Sequence, residues 1–248
     1  MTRDTRQNIY DDPDFFAGYK ALRQNDTGLN GALEVPALRR VLPDLAGLHV
    51  LDLGCGFGDF ARFARGMGAA SVLAVDVSEK MIAEAVRLTN DPGIQYLVAA
   101  IEDASFEPGA FDLVVSSMAL HYVLDYTAAL RLVFDALKFG GAFAFSVEHP
   151  ICTANPVGWV RSSSGEIEHW PIDRYQDEGK RETRWFVEGV TKFHRTTETY
   201  VSGLLAGGFR LDHLGEPRPV EAALAERPAL ETELRRPPIL LLAATKIR

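Results

Sequence analysis

The chain alternates short apolar runs with stretches in which apolar residues recur every three or four positions. Leu48-His49-Val50-Leu51-Asp52-Leu53 is a compact apolar run that stops at Gly54. Over 57–67 the apolar residues Phe60, Phe63, Ala64 and Met67 have helical spacing. Residues 71–75 form the next apolar run and 78–88 the next helix, with Met81, Ile82, Ala85 and Val86 on one face and Ser78 as its N-cap. Strands are expected over 94–99 and 111–116, then a helix over 127–137 that stops near Phe139-Gly140-Gly141. A fifth strand follows over 142–147. This rhythm predicts an α/β fold, a parallel sheet with helices on both faces. Right-handed crossovers would place the strand ends on one rim, where ligands bind.

From Glu148 the rhythm breaks. Residues 148–195 are richer in aromatic and polar side chains and predict an antiparallel insertion. Ser162-Ser163-Ser164-Gly165 marks one turn and Glu188-Gly189 a second. A helix over 196–206, a sixth strand over 209–214 and a strongly apolar strand over 237–245 complete the pattern. Ahead of the first strand, residues 10–42 predict two helices, the second starting near Glu34-Val35-Pro36. The whole chain, 1–248, is expected to be one domain, with 1–42 as a helical lid and 148–195 as a segment covering a substrate.

Composition narrows the class. The chain has 26 basic and 34 acidic residues, a net charge of -8, which opposes a nucleic-acid partner. Its longest apolar run, 239–244, is far short of the ~20 residues that span a bilayer, so no membrane partner is expected. The polar N-terminus lacks a signal-peptide core, and Cys55 and Cys152 fit neither a disulfide framework nor a zinc pair. These features predict a cytoplasmic protein, a monomer or homodimer, with no resident metal.

The candidate chemistry begins at Asp52-Leu53-Gly54-Cys55-Gly56-Phe57-Gly58. A strand runs into a turn with glycine at every second position. A Cβ at Gly54 or Gly56 would stand where a ligand lies, and the turn leads into a helix N-terminus. Asp76 ends the next strand, where a carboxylate can reach ribose hydroxyls. A dinucleotide site wants a third glycine at position 59, which is Asp59. An NAD(P)-dependent oxidoreductase is therefore the rival reading.

The glycine pattern with Asp52 resembles motif I of the class I S-adenosylmethionine (SAM)-dependent methyltransferases. Val75-Asp76-Val77-Ser78-Glu79-Lys80-Met81 looks like the second motif, Ala100-Ile101-Glu102-Asp103 the loop after strand three, and Phe111 to Ser117 with Ala119 to Val123 the fourth-strand motif and its rim. Leu137-Lys138-Phe139-Gly140-Gly141 resembles the turn before strand five, with Phe139 in place of the usual proline. The resemblance is to small-molecule methyltransferases of the ubiquinone-biosynthesis type. It implies a doubly wound, Rossmann-like seven-stranded sheet with its last hairpin reversed. It also implies that the chain takes SAM, yields S-adenosylhomocysteine and methylates O or N of a small-molecule acceptor. Asp52 would help bind the amino group, with Gly54, Cys55, Gly56 and Gly58 in the turn. Asp76 would take the ribose, and Val77 and Met81 would flank the adenine. Ala100 stands where the family usually has an acid for the adenine amino group. Ile101 would serve the ring through its backbone, with Glu102 or Asp103 in the acid's place. Ser117, Tyr10 and Tyr19 complete the cofactor set. A catalytically inactive SAM-binding scaffold would show the same motifs.

On the acceptor side, an oxygen nucleophile benefits from a base, and histidine suits that role. His121 follows strand four, and Glu148 and His149 follow strand five. These are the candidate catalytic residues. His194, Arg195, Tyr200 and Trp159 are the candidate acceptor contacts. Each has a structural alternative: packing over the cofactor for His121, loop orientation for His149, and a small core of the insertion for the tryptophans.

Overall fold

The computed structural model of the chain describes residues 7–24, 28–155 and 157–248. Residues 1–6 and 25–27 of the expected lid, and Pro156 of the expected insertion, lie outside these. The first half runs α1 (Pro13–Gln24), α2 (Val35–Val41), β1 (His49–Leu53), α3 (Asp59–Gly66), β2 (Ser71–Asp76), α4 (Glu79–Arg87), β3 (Ile94–Val98), β4 (Phe111–Ser117), α5 (Tyr126–Ala136) and β5 (Leu137–Glu148). The second half runs α6 (Pro150–Thr153), β6 (Val160–Arg161), β7 (Ile167–His169), β8 (Gly179–Trp185), β9 (Val187–His194), α7 (Thr197–Ala206), β10 (Phe209–Gly215), α8 (Glu221–Glu226) and β11 (Ile239–Lys246).

Seven strands make one sheet in the order β10-β11-β5-β4-β1-β2-β3. Strands β1 to β5 pair in parallel, while β11 pairs antiparallel with both β5 and β10. This is the Rossmann-like sheet with a reversed last hairpin. Strand order reverses between β1 and β4, so the crevice at their C-terminal ends is the place for a ligand.

Alternation along the central strands fixes the faces. Leu51, Leu53, Val114, Phe143, Phe145, Leu240 and Leu242 pack with Leu130 and Val133 of α5 and Tyr200 and Leu204 of α7. Val50, Leu113, Val115, Ala144 and Leu241 face the other way, against Leu38 of α2 and Ala61 and Ala64 of α3. Large rings dominate the first face, and aliphatic residues with several alanines the second. Local signals agree with this packing. Ser78 Oγ accepts from Met81 N at 3.0 Å, Asp125 Oδ1 from Ala128 N at 2.9 Å, and Thr196 Oγ1 from Thr199 N at 3.1 Å, each capping its helix.

Two turns differ from expectation. Phe139-Gly140-Gly141 is not a helix stop: α5 ends at Ala136 and these residues open β5. The second hairpin turns not at Glu188-Gly189 but at Phe186, which adopts φ +59° between the paired residues Trp185 and Val187. Its ring and that of Trp185 pack edge-on against Phe15 of α1 (5.4 and 5.3 Å), and this tertiary contact outweighs the glycine's local preference. Residues 220–235, which carried no sequence signal, form α8 and a run of 3-10 turns.

Phe143 is fully buried at the centre of the larger face. Phe143→Ala is expected to cost about 3–5 kcal/mol in urea unfolding. A loss of less than about 1 kcal/mol would show that this face is not the cohesive core.

Candidate functional site

The loop after β1 is bent by three left-handed glycines, Gly54 (φ +79°), Gly56 (φ +52°) and Gly58 (φ +73°). They serve different ends. A Cβ on Gly54 would fall 2.3 Å from Ala119 Cβ, so this glycine admits the loop after β4 rather than a ligand. A Cβ on Gly58 would fall 2.2 Å from Tyr96 Oη, and Gly58 does not line the cavity described below. Only Gly56 points into open space, with Tyr19 Oη as the nearest atom at 3.9 Å. Backbone N–H groups of Gly54 and Cys55 both donate to Val75 O, which ties the bend to the end of β2.

A cavity of about 780 Å³ opens over this bend. It is at the large end of the ~300–1,000 Å³ usual for small-molecule sites. Its floor at one end is Asp52, Cys55, Gly56 and Asp76, and its side wall includes Val77, Met81, Ile101 and Glu102. Ser117 ends β4, His121 follows it, Glu148 ends β5, and Tyr10 and Tyr19 face the cavity from the N-terminal segment. All the expected cofactor residues except Gly58 are therefore gathered here.

Asp76 holds the bend and faces the cavity. Its Oδ2 accepts from Gly56 N and its Oδ1 from Ser78 N, each at 2.9 Å. Asp52 is different. It is 1% exposed, and its Oδ2 has no hydrogen-bond partner among the described residues. Burial, and then the charges of Asp76, Asp59 and Glu34, push its carboxyl up to about 8. A buried acceptor left unmade costs about 1–3 kcal/mol, more for a charge. An ammonium group on a ligand would supply the missing donor and favour the ionised form. The SAM amino acid carries such a group, so the residues present fit the cofactor.

Asp59, at the N-terminus of α3, pairs with Arg23 and Arg62 at 2.5 Å each. A carboxylate there opposes a pyrophosphate, which a dinucleotide would need to place at this helix end.

The N-terminal segment is fastened to the cofactor wall. Asp11 Oδ1 accepts from Ser78 Oγ at 2.6 Å and Lys80 N at 3.1 Å, and Lys80 Nζ donates to Asp11 O at 2.7 Å. This brings Tyr10 edge-on to Tyr19 and Tyr122.

The expected acceptor residues divide. His121 is buried, and its Nδ1 accepts from Glu148 N at 3.3 Å. Burial, then the charges of Lys192 and Arg195, hold its pKa well below the usual histidine value. With Nδ1 occupied, the neutral ring carries its proton on Nε2, which makes it a donor and not a base. His149 does not line the cavity. It caps α6 through Nδ1 (Ile151 N, 3.1 Å) and meets Glu216 through Nε2 (3.1 Å). His194 bonds Thr153 Oγ1 at 2.6 Å and Tyr175 O at 2.9 Å, which spends both its nitrogens inside residues 148–195. Arg195 binds the carbonyls of Leu120, Val123 and Leu124, and Tyr200 packs in the core. Trp159 stands outside the cavity, edge-on to Trp170. His149 and Trp159 thus match their structural alternatives, whereas His194 and Arg195, which would otherwise be solvated strand-end residues, are buried and bonded within the fold.

Two residues that line the cavity, Lys192 and Arg236, and a third behind Ser117, Glu34, carried no sequence signal of a role at the site. Lys192 lines it and pairs with Glu148 Oε2 at 2.5 Å. Glu34, 1% exposed, accepts from Ser146 Oγ (2.7 Å) and Ser117 Oγ (2.9 Å). Arg236 comes from just before β11. Only the fold brings these distant segments to one place.

Comparison with known proteins agrees with the geometry. A methyltransferase domain family matches residues 51–145. A SAM-dependent methyltransferase from Mesorhizobium loti is 46% identical, covers 88% of this chain and 100% of its own, and superposes with a TM-score of 0.82. A Listeria monocytogenes protein is 42% identical over 87% of this chain and 97% of its own, with a TM-score of 0.83. A ubiquinone biosynthesis O-methyltransferase from Xanthomonas euvesicatoria is 37% identical over 106 residues, 42% of this chain and 44% of that one. The chain thus matches less than half the length of that relative.

Asp76→Ala is expected to weaken SAM binding at least tenfold, or about 1.4 kcal/mol, in calorimetry of the folded variant. Unchanged affinity would remove the ribose assignment. The raised Asp52 value has a sign. The empty protein holds this proton more tightly than the unfolded chain, so that part of its stability fades as pH rises from 3.8 through about 8. A bound ammonium reverses the preference. SAM binding at pH 7 should therefore release protons, measured in buffers of different ionisation heat, and Asp52→Asn should abolish the release. An orphaned carboxylate shaped for an amino acid, beside a bend shaped for a nucleoside and in a sheet shared with these relatives, is the mark of one group: the chain belongs to the class I SAM-dependent methyltransferases.

Proposed function

We propose that the chain methylates an oxygen or nitrogen of a small metabolite, by in-line transfer inside the cavity. The observation that carries this reading is the roof. The β8–β9 tip lies on α1 through Phe15, Trp185 and Phe186, and Tyr19 stands 6.0 Å from Trp185. Gln7 ties the same hairpin down, donating to Gly189 O at 2.7 Å and accepting from Thr191 N at 2.6 Å. A small molecule can be enclosed under such a cover, whereas a polymer strand would have to displace it. In this reading the N-terminal segment and the hairpin together serve as the lid. The acidic net charge also speaks against nucleic acid. Among the described residues no helix is long and apolar enough to cross a membrane. A cytoplasmic site of action, as a monomer or homodimer, fits the same reading.

SAM supplies an activated methyl group, so alignment and exclusion of water are the protein's main tasks. Asp52 and Asp76 fix the donor at its amino and ribose ends. Glu148, held by Lys192, faces the remaining space and can accept the hydrogen of an attacking hydroxyl or amine. His121 presents Nε2–H and steadies the loop of Glu148 through Nδ1. His149 takes no part in this arrangement.

The test is methyl-labelled SAM with a size-fractionated cell extract. Label is expected in the small-molecule fraction; label confined to protein or RNA would contradict the reading. With that labelled product as readout, Glu148→Gln is expected to lower turnover at least tenfold and leave S-adenosylhomocysteine affinity within twofold, a loss confined to the acceptor side.

A further inference from the structure

The cavity extends past Glu148 to an end that the methyl donor does not need. Cys152, Trp170, Arg236, Pro238 and Ile239 line it there. The Arg236 guanidinium lies over two rings, its carbon 4.3 Å from the Trp170 ring centroid and 5.6 Å from that of Trp159. Its side chain is only 12% exposed. Arg236 Nη1 and Glu233 Oε2 form an ion pair at 2.8 Å, but among the described residues neither atom makes a hydrogen bond, and Nε is likewise buried without an acceptor.

A guanidinium offers five N–H donors in a fixed fork, and leaving them unmade in a buried place is costly. The other cation at this end is already engaged, since Lys192 is paired with Glu148. Arg236, Glu148, Glu233 and Lys192 all act on the Cys152 thiol, so the four charges meet around one point of the wall. Both cations have an acidic partner, Glu148 for Lys192 and Glu233 for Arg236, but Arg236 is the one that keeps donors, Nε and Nη1, without a hydrogen bond among the described residues. Stacking on Trp170 fixes the plane of its fork, and a planar fork matches a carboxylate.

We propose that the methyl acceptor carries a carboxylate, which Arg236 grips at the far end of the cavity so that the nucleophilic atom is set back towards Glu148. The proposal rests on the small-molecule reading above and adds the chemical class of the substrate. It gives Arg236 a binding role, with Trp170 positioning it.

Calorimetry on the S-adenosylhomocysteine-loaded protein tests this with two matched pairs of probes, benzoate with benzamide and hexanoate with hexanamide. At least one carboxylate is expected to bind about tenfold or more tightly than its amide. Arg236→Gln should erase that preference, Arg236→Lys should keep part of it, and both should hold S-adenosylhomocysteine within twofold of the wild type. The proposal is overturned if acid and amide bind alike, if neither carboxylate binds at millimolar concentration, or if Arg236→Gln keeps the preference. The wild-type comparison decides the matter alone if Arg236→Gln does not fold. Failure to bind S-adenosylhomocysteine would strike the donor site instead, a separate result.

Discussion

A carboxyl oxygen with no donor lies inside the sheet. Asp52 sits in β1, an interior strand, and its Oδ2 is buried without a partner among the described residues. Folding does not favour such a group, and the apolar neighbours Val50, Leu51 and Leu53 hold it there. The glycine bend, the Asp76 clamp on Gly56 and the N-terminal strap on Ser78 are all arranged around the space that this carboxylate faces. Strain of this kind is expected where a ligand completes the structure.

The sheet explains why that space exists. Strand order reverses between β1 and β4, which opens a crevice at their C-terminal ends, and Gly54 lets the loop after β4 close against the bend. Large rings pack on one face, and smaller aliphatic residues with alanines on the other. The remaining strands supply walls: β2 brings Asp76 to one end of the cavity, β5 and β9 bring Glu148 and Lys192 to the other. The first end is built from two local strand–loop–helix units, while the second gathers side chains from segments far apart in sequence.

That difference decides what the sequence could reveal. Asp52, Gly56, Asp76, Val77 and Met81 lie within two strand–loop–helix units, where local spacing fixes position, and all reach the cavity. His149, His194 and Arg195 follow strand ends as well, but their polar atoms are taken by Ile151, Thr153 and the carbonyls after β4. Sequence spacing cannot show whether a histidine is already engaged by its own loop. Lys192 and Arg236 depend on how the hairpin and the segment before β11 fold back, and no periodicity encodes that. The turn at Phe186 makes the same point, because a contact with Phe15 overrides the glycine beside it.

The most direct measurement is a crystal structure with S-adenosylhomocysteine bound. The account places its ammonium within hydrogen-bond reach of Asp52 Oδ2, its ribose hydroxyls on Asp76 and its sulfur towards Glu148. A nucleoside lodged elsewhere, or an Asp52 still without a donor when the cavity is filled, would contradict it.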